Sequence, residues 1–415
     1  MTTEIDGPVG LAAFAMGAFV ISSVKFKWMQ SVQNMPQANL QVQPVQALDA
    51  DNDPFFHGPP VQYGFGRWKV SRLKDIRAVH ADPDATVDKL SLKAIRHAIH
   101  SLALDVPSIM VVMGPIGRDH RTPNDDERKA NIVVTKRFLE SIGDFDFDAP
   151  FSRCVAATAG TVADASTELV GPMLDAWRAE ALGMDARLGL EIETDIMRVV
   201  RLLDFHTRDA LLECDAAAAR ILAGLDRLDR TPGRFGLDPV LHWAAPAFTA
   251  MAPLRYTCIS MLAKLADAPD LQEQLRAAPA LRPGFIQEAE RLYGAFRYTP
   301  RQIGPRGLDL GDAKLPPRCL VQLDLAAANR DPETWEDPDA FRMGRPRAGT
   351  ATFGFGPLGC TGGQVSRRIM ARLLDLVMDN VRLSVPDDPR AQRRGTLNPG
   401  QMRGYSFCPL AVERL

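Results

Sequence analysis

The chain has no C-x-x-C pair. Its six cysteines, at positions 154, 214, 258, 319, 360 and 408, stand far apart, which excludes zinc-ribbon spacing. So few cysteines over 415 residues also argue against a disulfide framework, and a reducing cytoplasm is the expected compartment. A basic surplus is missing too. Lys and Arg number 49 against 51 Asp and Glu, a net charge of -2, which leaves no electrostatic footprint for nucleic acid. The apolar stretch GLAAFAMGAFVISSV, residues 10–24, is shorter than a bilayer span of about 20 residues. Glu4 and Asp6 precede it where a signal peptide would be basic. A buried or surface-docked helix is expected there, with peripheral membrane contact as the less favoured alternative. No internal repeat or low-complexity tract stands out.

What is present is a globular composition, 46% hydrophobic and 24% charged, able to bury a large core. Residues 28–62, rich in Gln, Asn and Pro, read as an irregular lead-in, so that 1–62 precedes the packed body. RWKVSRLKDIRAVHADPD (67–84) predicts a strand and a short helix that ends at Asp-Pro. Leu, Ala and Val recur at helical spacing from about 125 to 293, with breaks at DFDFDAP and DRTPGRFGLDP. A long apolar helix is expected over 239–266 and a last helix over roughly 361–382. Between them RCLVQLDL is strand-like, as is the C-terminal RGYSFCPLAVERL. The expected fold is mainly α with a minor β portion, one domain over residues 1–415.

TATFGFGPLGCTGG, residues 350–363, carries two overlapping motifs. Gly354, Gly356 and Gly359 spell G-x-G-x-x-G, a pyrophosphate cradle. That cradle needs further βαβ units after it, and one helix with weak strands cannot build them. Pro357 also lacks the N–H that a phosphate would need. The second motif is F-x-x-G-x-x-x-C-x-G, from Phe353, Gly356, Cys360 and Gly362. Here Gly356 lets the loop turn and Gly362 lets the following helix start close to a flat ligand. Phe353 packs near the sulfur, and the helix N-terminus favours a thiolate. An inert buried cysteine is the alternative.

The loop resembles the haem-binding loop of the cytochrome P450 superfamily, and the likeness extends along the chain. EAERLYGAFRYTPR contains E-x-x-R as Glu288 and Arg291, similar to the pair that ties a helix to the meander in that family. Arg301, ten residues past Arg291, matches an arginine directed at a haem propionate. AANRDPETWEDPDAF (327–341) resembles the approach to the meander, and residues 67–84 the first sheet region and its helix. The resemblance implies a P450 fold and haem b with Cys360 as the axial thiolate. Arg301, Phe353, Gly356 and Gly362 would surround the haem, and a ferredoxin-type partner would supply electrons. The implied reaction is oxidation of a small, largely apolar molecule, by hydroxylation or oxidative coupling.

The chain departs from that pattern on the distal side. No Asp or Glu occurs between Pro239 and Ala266, and the family's acid–threonine pair falls on Ala252 and Pro253, neither of which can donate a proton. Thr249 is the nearest hydroxyl, either a back-bonded helical threonine or part of the distal pocket. Arg255 is expected to pair with a structural acid, or else to anchor a substrate carboxylate. Leu358 stands where the family commonly has a propionate-binding His or Arg, and Glu127 and Asn131 where it has a His and an Arg. Arg128 or Lys129 are the substitutes there. Ala340 replaces the meander arginine, leaving Arg342 or Arg345 to brace Glu288. Arg367 and Arg368 read as a solvated helix start, or as a greeting for an acidic partner. Two other readings stay open: peroxide-dependent or non-oxygenating haem–thiolate chemistry, and a degenerate relative that only binds.

Overall fold

The computed structural model describes residues 60–64, 67–87, 98–109, 111, 133, 145–182, 185–200, 207–226, 252–345, 349–356, 359–389, 391–396 and 402–415. The apolar stretch at 10–24, the lead-in, Glu127, Arg128, Lys129, Asn131, Thr249 and Leu358 lie outside them.

Strand β1 (Val61–Gly64) pairs antiparallel with β2 (Arg67–Val70), and helix α1 (Leu73–Ala81) follows. Leu73, Ile76 and Val79 recur at helical spacing and are buried with His80. The helix stops at Asp82, whose extended backbone is what the following Pro83 demands. After β3 (Thr86–Val87), α2 (Asp148–Thr158) leads to β4 (Thr161–Asp164), a strand inside a region that reads as wholly helical in sequence. Its partner is β12 (Pro409–Arg414), so the pairing that stabilises it is invisible to a local pattern.

A π-helical turn (Ala165–Val170) opens into α3 (Gly171–Leu182), followed by α4 (Ala186–Val200) and α5 (Arg208–Leu225), which pack on each other. Helix α6 is described from Ala252 to Ala266, the latter part of the expected 239–266 helix. Leu254, Cys258, Ile259, Met261, Leu262 and Leu265 are all buried, so α6 meets protein on most faces. Helix α7 (Pro269–Ala277) and α8 (Arg282–Tyr293) each start with proline in the first turn, where its missing N–H costs nothing. Helix α9 (Gly363–Asn380) is two residues shorter at each end than its sequence pattern, because Val381 already belongs to β9 (Val381–Ser384). Helices α6, α8 and α9 pack on one another and form the centre of the larger apolar core.

The main sheet has the order β1-β2-β8-β5-β3, with β5 (Tyr298–Gln302) and β8 (Leu320–Asp324) in its middle. It holds the second apolar core against α1. Smaller sheets are β4-β12-β9 and the two pairs β6 (Leu308–Asp309) with β7 (Lys314–Leu315) and β10 (Gly395–Thr396) with β11 (Tyr405–Phe407). Among the described residues no helix is long and apolar enough to cross a membrane. The mainly helical expectation with a minor β portion matches the structure.

Candidate functional site

The Cys360 loop is built from its own backbone. Cys360 N–H donates to the Phe353 carbonyl at 2.7 Å, Gly359 N–H to Gly356 at 3.0 Å, and Gly354 N–H to Ala351 at 2.9 Å. These closures require left-handed backbone at Gly354 (φ +66°) and Gly356 (φ +55°), which only glycine adopts readily. Beside Gly356 a side chain would meet open space within 4 Å. Gly363, one position after the glycine of the sequence motif, packs closely on the loop: a Cβ there would lie 3.2 Å from the Phe353 ring. Gly362 contributes differently, as the residue preceding α9 whose N–H, with that of Gly363, points at the Cys360 sulfur.

Burial pushes the Cys360 thiol above its ordinary range, and the two N–H groups and the Arg367 charge oppose it. The residue as a whole is nevertheless exposed to solvent. A thiol so placed stays protonated by itself and becomes a thiolate on binding a metal. Among the described residues no cluster of three or more His, Cys, Asp or Glu offers further ligands.

The limb leading into the loop is clamped to α8. Glu290 is buried and receives two hydrogen bonds from Arg367, at 2.6 and 2.9 Å, and one from Thr350. Thr352 donates to the Glu290 carbonyl at 2.6 Å, and Asn329 joins Thr352 at 2.8 Å and Ala351 N–H at 2.7 Å. Arg367 also stacks over Phe353, its guanidinium carbon 4.8 Å from the ring centre. Arg367 is therefore ion-paired with Glu290 while its side chain stays partly exposed, and Arg368 is exposed as expected of a solvated helix start. Neither Glu290 nor this use of Arg367 carries a local signal in the sequence.

The next residue on α8, Arg291, is fully buried and pairs with Glu288 through both oxygens, at 2.9 and 2.7 Å. Its remaining donors reach the carbonyls of Asn329 (2.7 Å), Pro338 (2.5 Å) and Ala340 (3.0 Å). Of the two arginines considered for bracing Glu288, Arg345 does so with its side chain, at 3.2 Å. Arg342 contributes only its backbone N–H, at 3.1 Å, and turns its guanidinium to Glu336 and Asp337.

Arg301 lies in β5 opposite Val321 of β8 and Val87 of β3, a register that holds it 9% exposed in the sheet. It sits close enough to His80 of α1 for its charge to act on the imidazole. His80 reaches the Cys360 loop directly, accepting the Phe355 N–H at 2.9 Å. These two groups gather donors beside the loop, as the carboxylates of a porphyrin would need, so the residues present fit a haem.

Ala252 and Pro253, expected on the distal side, open the described part of α6. Pro253 offers its carbonyl to the Thr257 hydroxyl at 3.0 Å. Thr257 is thus the first threonine described on this helix, next to Tyr256. Arg255 faces away into an ion cluster, 3.4 Å from Glu193 and 3.9 Å from Asp175, which is the structural pairing expected of it.

Residues 281–401 match the family Cytochrome P450. Cytochrome P450 107B1 of Saccharopolyspora erythraea is 37% identical over 131 residues, covering 29% of this chain and 31% of that protein. The beta-dihydromenaquinone-9 omega-hydroxylase of Mycobacterium bovis is 32% identical over 196 residues, 46% of this chain and 39% of the relative. The aligned part thus spans about a third of the length of these curated relatives. Among solved structures, CalO2 superposes with a TM-score of 0.70 at 20% identity, over 89% of this chain and 98% of that one. Epothilone B-bound cytochrome P450epoK gives 0.69 at 16% identity, over 90% and 100%. Likeness at such identities establishes the fold.

Proposed function

We propose that this chain, whose residues 281–401 match the family Cytochrome P450 and whose fold resembles solved P450 structures, is a haem–thiolate oxidoreductase acting on a small, largely apolar molecule. The observation that carries the reading is the Cys360 loop, which presents an exposed cysteine while two backbone N–H groups point at its sulfur.

Cys360 would hold the iron and Arg301 a propionate, while Phe353 and Gly363 pack together behind the loop. Haem, when bound to a thiolate, supplies iron chemistry that favours O–O cleavage. Hydroxylation inserts one atom of O₂ into a C–H bond and releases the other as water. Two electrons from a ferredoxin-type donor and two protons complete the balance. A curated relative named as a hydroxylase supports this reaction class. The six cysteines, all among the described residues, form no disulfide, which suits a reducing cytoplasm.

The reduced, CO-bound spectrum tests the reading. The thiolate signature band is expected in the native protein and absent from Cys360→Ala. Retention of that band in the variant would overturn the assignment, and its absence from the native protein would favour a degenerate, binding-only relative. A panel of apolar compounds scored by their shift of the Soret band then identifies the substrate class.

Ala252 and Pro253 favour a second reading, in which peroxide replaces O₂ and electrons, because neither residue can deliver a proton. Turnover with hydrogen peroxide alone, at least matching a ferredoxin-driven system, selects it. Turnover only with the electron donor rejects it.

A further inference from the structure

His80 is buried to 2% exposure, and only half of its hydrogen-bonding capacity is used. Its Nδ1 lies 2.9 Å from the Phe355 backbone nitrogen, while the Phe355 carbonyl is farther away at 3.2 Å. An amide N–H can only donate, so Nδ1 must offer a lone pair. In the neutral ring the proton then sits on Nε2. Burial and the adjacent Arg301 charge lower the pKa of His80 to about 4, which keeps the ring neutral at physiological pH. Nε2–H is therefore a buried donor, and among the described residues it has no acceptor.

Such donors are rarely left unmatched, since burying one unpaired forfeits its hydration. The neighbouring cation makes an anion the preferred acceptor, and the Cys360 loop lies directly against the ring. A side chain on Gly354 would approach His80 Cε1 to 2.6 Å, so the loop is shaped to admit this imidazole.

We propose that His80 anchors the cofactor, its Nε2–H donating to a haem propionate that Arg301 also meets. The proposal rests on the haem–thiolate reading above. It gives α1 a direct part in holding the porphyrin, through one ring nitrogen on the loop and the other on the carboxylate. The two nitrogens can be separated by substitution. Asn in place of His80 puts an amide near Nδ1 and keeps the contact with Phe355. Gln places its amide near Nε2 and keeps the donor to the carboxylate.

The experiment is haem transfer from the loaded protein to excess apomyoglobin, with the reduction potential measured alongside. His80→Asn is expected to release haem about tenfold faster than the native protein, consistent with the loss of a charge-assisted hydrogen bond. Its potential should move negative, because the propionate charge is less well compensated. His80→Gln should restore both. The opposite order, with Asn native-like and Gln impaired, would reduce His80 to a structural pin for Phe355 and overturn the proposal. Native-like release and potential in both variants would overturn it as well, with an ordered water then satisfying Nε2. If the native protein itself shows no thiolate signature with CO, the haem–thiolate reading fails and the proposal with it. A normal signature together with indifferent His80 variants sinks the proposal alone.

Discussion

Arg291 has no exposed surface, and each of its terminal nitrogens is held by Glu288 or by carbonyls of the segment around residues 329–340. Removing the countercharge strands a buried cation, which costs far more than the pair itself contributes. Glu288→Gln is expected to destabilise the haem-loaded protein by about 3–5 kcal/mol in urea denaturation. Arg345→Ala removes only one of the partners of Glu288, at the edge of the cluster, and should cost about 1–2 kcal/mol. Equal losses in the two variants would show that Arg345, and not Arg291, is the principal partner of Glu288. The E-x-x-R spacing marks Glu288 and Arg291 in the sequence because both lie on one helix. The choice between Arg342 and Arg345 was not legible there, since it depends on how the irregular segment after Pro338 folds back on α8.

Helices α4 and α5 are joined by one buried carboxylate. Asp195 of α4 takes two bonds from Arg220 of α5, at 2.8 and 2.6 Å, and one from Arg198 at 2.5 Å. Burial alone would raise its pKa, but the hydrogen bonds and charges of Arg220 and Arg198 outweigh it and hold the carboxyl below its ordinary value. A depressed folded-state pKa means that the stabilisation is complete above the unfolded value of about 3.9 and is lost as pH falls through the folded one. Both arginines are partly solvated, so the contribution is about 1 kcal/mol. Asp195→Asn should therefore be less stable than the native protein by about that amount at pH 7, with the gap closing below about pH 4. A gap that persists unchanged into acid would show that packing, not charge, joins the two helices. Helical periodicity made these elements readable, as Asp-Pro made the C-terminal end of α1 readable. Strand β4 was not, because four residues have no pattern of their own and their partner, β12, lies at the far end of the chain.

At the scale of the molecule, the Cys360 loop lies between two apolar cores. The larger is centred on α6, α8 and α9, the smaller on α1 and the main sheet, and Phe296 packs against both. Glu290 and Asn329 tie the loop's first limb to α8 and the segment after β8, while His80 ties its turn to α1. None of these ties is short in sequence: His80 and Phe355 are 275 residues apart, which is why the loop's cysteine and glycines are readable and its supports are not. A haem held by Cys360 and Arg301, as proposed, would link the loop to the main sheet as well. Any ligand that binds only the folded chain adds to its stability by mass action, about 4 kcal/mol at a thousandfold excess over Kd. Removing haem should lower the melting temperature, and the structural response should be uneven. Amide hydrogen exchange is expected to quicken first in residues 349–356, 359–363 and α1, whose contacts meet at the loop. The middles of α6, α8 and α9, buried among themselves, should keep their protection. Uniform acceleration across α6 and α9 would mean that the cofactor holds the whole helical core together, and that the loop is not a separately yielding junction.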